Sequence, residues 1–515
     1  MVLYHVYSTY QLLECMVHRL LYYTQEDACL IVYPFLLDKV PNYKDLEKNG
    51  IFNNVFLMPT ITIHSEEQIV KDIEINVSEK LPMRLGEFTD IYVAGVHSLF
   101  SIYLIKQNIL FHMMEDGSGA LSHPEVLDEI NRKDCPRKKY ELYDKYNLFY
   151  PIKWTKDIVK SKICNLNAQK KGFYDSLAVH FDPMESFRKL SVDYQKLILA
   201  FFHCPSEIKV SEKSVLLLTQ HLCNPQQLTF EEQVMIYQYL KDYFFEGYNL
   251  IIKPHPDDIM FYDRLFPDSQ IIREKFPSEL LPFIFERVPL VLSTVSSTGV
   301  YLLNQYFKKQ LFFNAEYEQY FLSTHRYYVA LQLIQYLGYG KLYYQGVLEC
   351  LVNNLIHFNN LPLVFSGEDA QVWLIDDIQQ INQNVFSSEI LLSGPTNRIY
   401  IFINTNNKNL FYQYNNDEIF DDIIPIIINK THILEEYNYT NENDEFIYVY
   451  VKDENIQNNI RKFSHSKVLN ASGCRLDVNI LTEKQLLISR LKLQIKIKEN
   501  LILEYLEKQK LEVKE

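Results

Sequence analysis

The chain is short of glycine, with 14 in 515 residues against an average usage of roughly 7%. That shortage excludes collagen-like, Gly/Ser-linker and glycine-repeat architectures. Neither GxGxxG nor GxxxxGKS/T occurs, so a glycine-rich phosphate loop of either kind is excluded too. Cysteine offers no framework: none of the eight stands in a CxxC pair, and a chain this long needs no disulfide staples. Reduced thiols in a cytoplasmic protein are the expectation. No apolar run approaches 18 residues, and the Ile423–Ile428 run is far too short to span a bilayer. The start, Met1–Tyr7, lacks the basic and small-residue parts of a signal peptide. A soluble protein is therefore expected, or one held peripherally at the inner face of the cell membrane. Positive charge is also in deficit, 51 Lys and Arg against 65 Asp and Glu, which disfavours a general nucleic-acid binder.

What is present is apolar and aromatic. A hydrophobic fraction of 47% with 38 Tyr and 32 Phe describes a globular chain. At roughly 100–200 residues per domain, 515 residues suggest about three domains. The first 120 residues alternate short apolar runs with helical patterns: strands at 2–7, 28–33, 54–57, 90–94 and 109–114, and a helix at 10–23. A second series follows, with strands at 214–219, 249–253, 269–272 and 290–293 and helices at 229–243 and 277–286. Alternating βα units make parallel, doubly wound sheets, an α/β fold class. Two Rossmann-like halves in series resemble the GT-B architecture, whose ligands lie in the cleft at the strands' carboxyl ends. The expected division is 1–205 as an acceptor-side domain with a helical, strandless insertion at about 122–205, and 206–364 as a nucleotide-sugar domain. An appended α/β or α+β domain follows at 365–478, with strands at 398–404 and 446–451, and then a basic amphipathic helix at 479–515.

Three motifs fall where a strand gives way to a loop. In Glu115-Asp116-Gly117 adjacent carboxylates repel, which favours a base working near neutrality, although Glu-Asp-Gly-Ser is also ordinary turn chemistry. In Lys253-Pro254-His255-Pro256 two prolines hold a histidine in an extended loop, where its imidazolium is placed to donate to a departing phosphate. Ser296-Ser297-Thr298-Gly299 opens an apolar helix, a place for an anion as well as for simple capping.

In this order the motifs resemble those of bacterial sialyltransferases: the lipooligosaccharide sialyltransferases of glycosyltransferase family 52 and the capsular polysialyltransferases. The likeness covers roughly residues 1–360. It implies inverting transfer from CMP-sialic acid to a hydroxyl of a lipooligosaccharide or capsule glycan. Glu115 or Asp116 would take the acceptor proton, with Glu115 slightly favoured, and His255 would assist departure of CMP. Ser296, Ser297, Thr298, Pro256, Gln220 and Glu279 would line the nucleotide and phosphate site. A monophosphate donor needs no metal clamp, so no cofactor or metal is expected, and the chain has no Asp-Xaa-Asp triplet.

Charge is uneven. From Arg132 to Gly172 twelve Lys and Arg face four Asp and Glu, a local +8. This stretch, with Arg137, Lys138, Lys139, Lys153 and Lys156, reads as a border of the cleft for an anionic glycan or lipid headgroup, or as a solvated helical face. Lys484–Lys498 carries five positive charges and no acid. That pattern suits an anionic membrane surface or a packing and oligomerising helix. The rival functions are a related transferase using CMP-Kdo or CDP-glycerol, and a non-catalytic glycan-binding scaffold on the same fold.

Overall fold

A computed structural model describes residues 1–58, 66–78, 80–95, 98–115, 158–167, 176–222, 233, 236–238, 240–258, 260–295, 303–313, 317–346, 348–376, 391, 393–403, 423–428 and 445–466. Three sheets follow one another along the chain. The first contains β1 (Val2–Val6), β2 (Ala28–Val32), β3 (Asn54–Leu57), β4 (Asp90–Ala94), β5 (Phe111–Met114), β6 (Val159–Cys164) and β7 (Ala178–His180). Its order is β3-β2-β1-β4-β5-β6-β7 and every pairing is parallel. The expectation of a strandless segment at about 122–205 is corrected here. β6 and β7 extend the first sheet beyond β5, their polar, broken runs (VKSKIC, AVH) giving no clean alternation to read.

The second sheet contains β8 (Ser214–Leu218), β9 (Asn249–Lys253), β10 (Gln270–Ile271), β11 (Val291–Val295) and β12 (Lys309–Phe313), in the parallel order β10-β9-β8-β11-β12. In both sheets the strand order reverses beside the first strand, between β1 and β4 and between β8 and β11. Such switch points open crevices at the carboxyl ends.

The third sheet contains β13 (Lys341–Gln345), β14 (Val364–Phe365), β15 (Val372–Ile375), β16 (Ile399–Phe402), β17 (Ile423–Ile428) and β18 (Glu445–Tyr450), in the order β14-β13-β15-β16-β18-β17. β13 lies inside the span assigned to the nucleotide-sugar domain and β14 straddles its end, so the last unit starts near residue 340 rather than 365. The isoleucine run at 423–428 is an antiparallel edge strand, where Pro425 costs no central ladder bond.

Packing ties the units together. The helix after β1, α1 (Thr9–Tyr22), starts at a Ser8–Gln11 capping box and buries Leu12, Leu13, Met16, Val17 and Leu20. These side chains share one apolar cluster with Leu216, Leu218 and Ile251 of the second sheet. Val215, Leu217, Leu250 and Ile252 cluster instead with Leu342, Val372 and Ile401 of the third. Alternation along β8 and β9 thus places their two faces in two different apolar clusters, each shared with a neighbouring unit. None of the helices among the described residues is long and apolar enough to cross a membrane.

Candidate active site

Glu115 follows β5 directly, at the carboxyl edge of the first sheet, and is 2% exposed. Its main chain is held on both sides: its N–H donates to Ile163 O (3.0 Å), and Gln11 Nε2 donates to its carbonyl (3.4 Å). The carboxylate is held as firmly. Tyr10, in the first turn of α1, donates its hydroxyl to Oε1, and the Asn165 N–H beyond β6 donates to Oε2 (3.1 Å). Asn165 Nδ2 in turn donates to Asp182 Oδ2 (2.9 Å), and Asp182 caps the helix Pro183–Lys189. Burial raises the Tyr10 pKa well above the usual phenol range, and the charges of Glu14, Glu115 and Glu279 raise it further. Glu14 and Glu115 belong to the first half and Glu279 to the second, so acidic groups of both halves converge on one tyrosine.

His255 stands just past β9. Its N–H donates to Thr219 Oγ1 (3.1 Å), and Thr219 Oγ1–H donates to Asp258 Oδ2 (2.8 Å). Asp258 also accepts from Tyr262 OH (2.5 Å), Gln233 Nε2 (3.3 Å) and Met260 N–H (3.2 Å). Burial raises the Asp258 pKa, and these donors pull it back. Asp258 is therefore the anchor of the His-Pro loop. The Asp257 N–H donates to His255 Nδ1 (3.2 Å), which places the proton of the neutral ring on Nε2. Burial, with the His221 ring stacked at 4.0 Å, lowers the His255 pKa to about 3. The expectation of a standing imidazolium is corrected: near neutral pH the ring is an uncharged N–H donor.

The two halves meet across this loop. Lys39, between β2 and β3, reaches Asp257 Oδ2 at 3.1 Å, and Lys275 approaches Asp38 at 3.7 Å. Beneath His255, Lys253 is 3% exposed, and burial lowers its pKa to about 8. Its Nζ donates to Glu274 O (3.3 Å) and lies 4.2 Å from the centre of the Phe276 ring. Glu279, 6% exposed, has its pKa raised to about 7 by burial, with Lys253 pulling the other way.

Of the residues expected at the site, Glu115, His255, Pro256, Gln220 and Glu279 lie at these carboxyl ends. Gln220 is fixed through its main chain, its N–H donating to the Tyr237 hydroxyl oxygen (2.5 Å) and its carbonyl accepting from Gln233 Nε2 (2.8 Å). Asp116, Ser296, Ser297, Thr298, Arg137, Lys138, Lys139, Lys153 and Lys156 lie outside the described residues, as do the 479–515 segment and residues 229–232, 234, 235 and 239 of the helix expected at 229–243. Lys160, counted with the basic stretch, is in β6 and pairs with Asp90 Oδ1 (2.9 Å) at the amino ends of the strands, away from Glu115. Residue patterns alone missed Tyr10, Lys39, Lys253, Asp257, Asp258 and Asn165. The signal for two of them was there: Asp257-Asp258 directly follows the Pro-His-Pro loop.

Two parallel, doubly wound sheets, with an acidic loop at the carboxyl end of one and a histidine loop at the carboxyl end of the other, define the GT-B fold class. The alpha-2,8-polysialyltransferase family model matches residues 16–312, more than half of the chain. The protein belongs to that family of glycosyltransferases. An uncharacterized protein of Haemophilus influenzae is 25% identical over 209 residues, a match spanning 40% of this chain and 64% of that protein's length. Among solved structures, the α/β-galactoside α-2,3-sialyltransferase of Photobacterium phosphoreum is similar at 12% identity and a TM-score of 0.40, covering 71% of this chain and 97% of that one. The UDP-GlcNAc 2-epimerase of Methanocaldococcus jannaschii is similar at 12% identity and a TM-score of 0.35, covering 58% and 80%.

Proposed function

We propose that the protein is an inverting, metal-independent sialyltransferase that moves sialic acid from CMP-sialic acid to a hydroxyl of a lipooligosaccharide or capsule glycan. The observation that carries this reading is the pairing of an oriented Glu115 carboxylate on one half with an N–H donor, His255 Nε2, on the other, beside the Lys39–Asp257 contact. The acceptor O–H gives its proton to the carboxylate of Glu115, or of the adjacent Asp116. The freed oxygen attacks the anomeric carbon from the face opposite CMP, so configuration inverts. The bond to the phosphate oxygen breaks, and the electron pair leaves with CMP. His255 donates through Nε2–H to that oxygen as its charge grows. Ser296, Ser297 and Thr298 take the remaining phosphate oxygens, Gln220 and Pro256 border the nucleotide, and Glu279 accepts from its hydroxyls. The basic stretches at 132–172 and 484–498 hold the anionic acceptor and an inner-leaflet surface, with the latter also available for oligomerisation.

Incubation with CMP-sialic acid and an oligosialic acceptor tests the reading. The expected product is a sialoside of anomeric configuration opposite to the donor's, by proton NMR, formed equally with and without EDTA. A product of retained configuration, or a requirement for added metal, contradicts it.

A further inference from the structure

We propose that His221, His255 and Asp257 form a binding site for a borderline transition-metal cation such as Zn2+, and that the bound ion inhibits transfer by drawing the His255 ring, with its Nε2–H, away from the donor phosphate. The metal-binding half stands on geometry alone; the inhibitory half rests on the reading above. His221 follows β8 and the other two follow β9, so neighbouring strands bring all three to one place. Each offers one ligand atom, and these atoms lie within 4.8 Å of one another, the one such grouping of His, Cys, Asp and Glu among the described residues. His255 Nδ1 and Asp257 Oδ2 are 4.0 Å apart, and the imidazoles stack at 4.0 Å with 24° between their planes.

Ligands about 2.0–2.2 Å from a tetrahedral zinc ion stand roughly 3.3–3.6 Å from each other. The three atoms therefore need to draw in by about 1 Å, within reach of rotamer changes in half-buried side chains. Two imidazoles and one carboxylate suit zinc and its neighbours rather than magnesium or calcium, which prefer oxygen-only shells. The fourth position stays open to water. The loop is braced for the task, because Thr219 and Asp258 hold the main chain around His255. One group competes. Lys39 occupies Asp257 Oδ2 from the opposite half, and a metal ion must displace it.

Titration of the full chain with Co2+, followed by visible absorption, tests the site without any enzyme assay. One equivalent producing the d–d bands of a four-coordinate ion, and displaced by Zn2+, is expected. His221→Ala and Asp257→Asn should each weaken binding by at least about tenfold, with thermal unfolding checked by circular dichroism. Lys39→Met should tighten it, a gain that misfolding does not produce. Undiminished binding in both ligand variants, or thiolate charge-transfer bands, overturns the site. EDTA-reversible inhibition by Zn2+, needing at least tenfold more metal in His221→Ala, is the expected kinetic result; metal bound at this site without inhibition overturns the switch. Absence of transfer in metal-free protein would count against the functional reading alone, since binding is read by spectroscopy.

Discussion

His255 works through what holds it. Its N–H and the Asp258 carboxylate share Thr219 Oγ1, so one hydroxyl ties strand β8 to the His-Pro loop. Thr219→Val keeps the shape and removes both bonds. A destabilisation of about 1–3 kcal/mol is expected by urea unfolding, with kcat falling more than KM rises, because the loop is positioned rather than the substrate bound. A second prediction concerns Glu279. Its folded pKa of about 7 lies above the ordinary 4.5, so the folded state keeps a proton that the unfolded chain has lost between these values. Stability attributable to this group is complete below pH 4.5 and falls as pH rises towards 7, by up to about 3 kcal/mol. Glu279→Gln should accordingly melt higher than wild type at pH 8 and equally at pH 5. A gap that persists at pH 5 would contradict the assignment.

At the scale of elements, the apolar strands were readable because burial on both faces leaves an almost continuous hydrophobic run. Val2–Val6, Asp90–Ala94 and Asn249–Lys253 are cases where run and strand nearly coincide. The motifs at strand ends were readable for the same reason, since each follows such a run. What escaped was polar: β6 holds Lys160, Ser161 and Lys162, and two-residue strands such as β14 carry no period. The cost of missing β6 was the support of Glu115, whose Oε2 is held by the residue directly after that strand's end. Asp182→Ala tests this support. It removes the cap on the helix Pro183–Lys189 and the partner of Asn165 Nδ2, and should lower stability by about 1–2 kcal/mol. Activity should fall as well, although Asp182 touches no substrate. Unchanged kcat in a variant with the expected stability loss would separate the cap from the site.

For the whole molecule, the sequence suggested an appendage where the structure has an integral third layer. The face of β8 and β9 formed by Val215, Leu217, Leu250 and Ile252 belongs to one apolar cluster with Leu240, Tyr243 and Phe244 and with Leu342, Leu351, Val372 and Ile401 of the third sheet's unit. Truncation after residue 340 should therefore yield an aggregating or dye-binding product instead of a functional two-domain enzyme, read by light scattering and ANS fluorescence. A soluble, monomeric fragment of native activity would contradict that packing. Beside the apolar cluster they share, the first two units are bridged by long cations, Lys39 to Asp257 and Lys275 to Asp38. The central claim remains the identity of the donor. It is tested most directly by measuring release of CMP or CDP-derived product from CMP-sialic acid, CMP-Kdo and CDP-glycerol in EDTA, with wild type and His255→Ala side by side. The account predicts turnover of CMP-sialic acid alone, reduced about 10²–10⁴-fold in the variant. Turnover of CDP-glycerol instead, or CMP release undiminished by loss of the histidine, would contradict it.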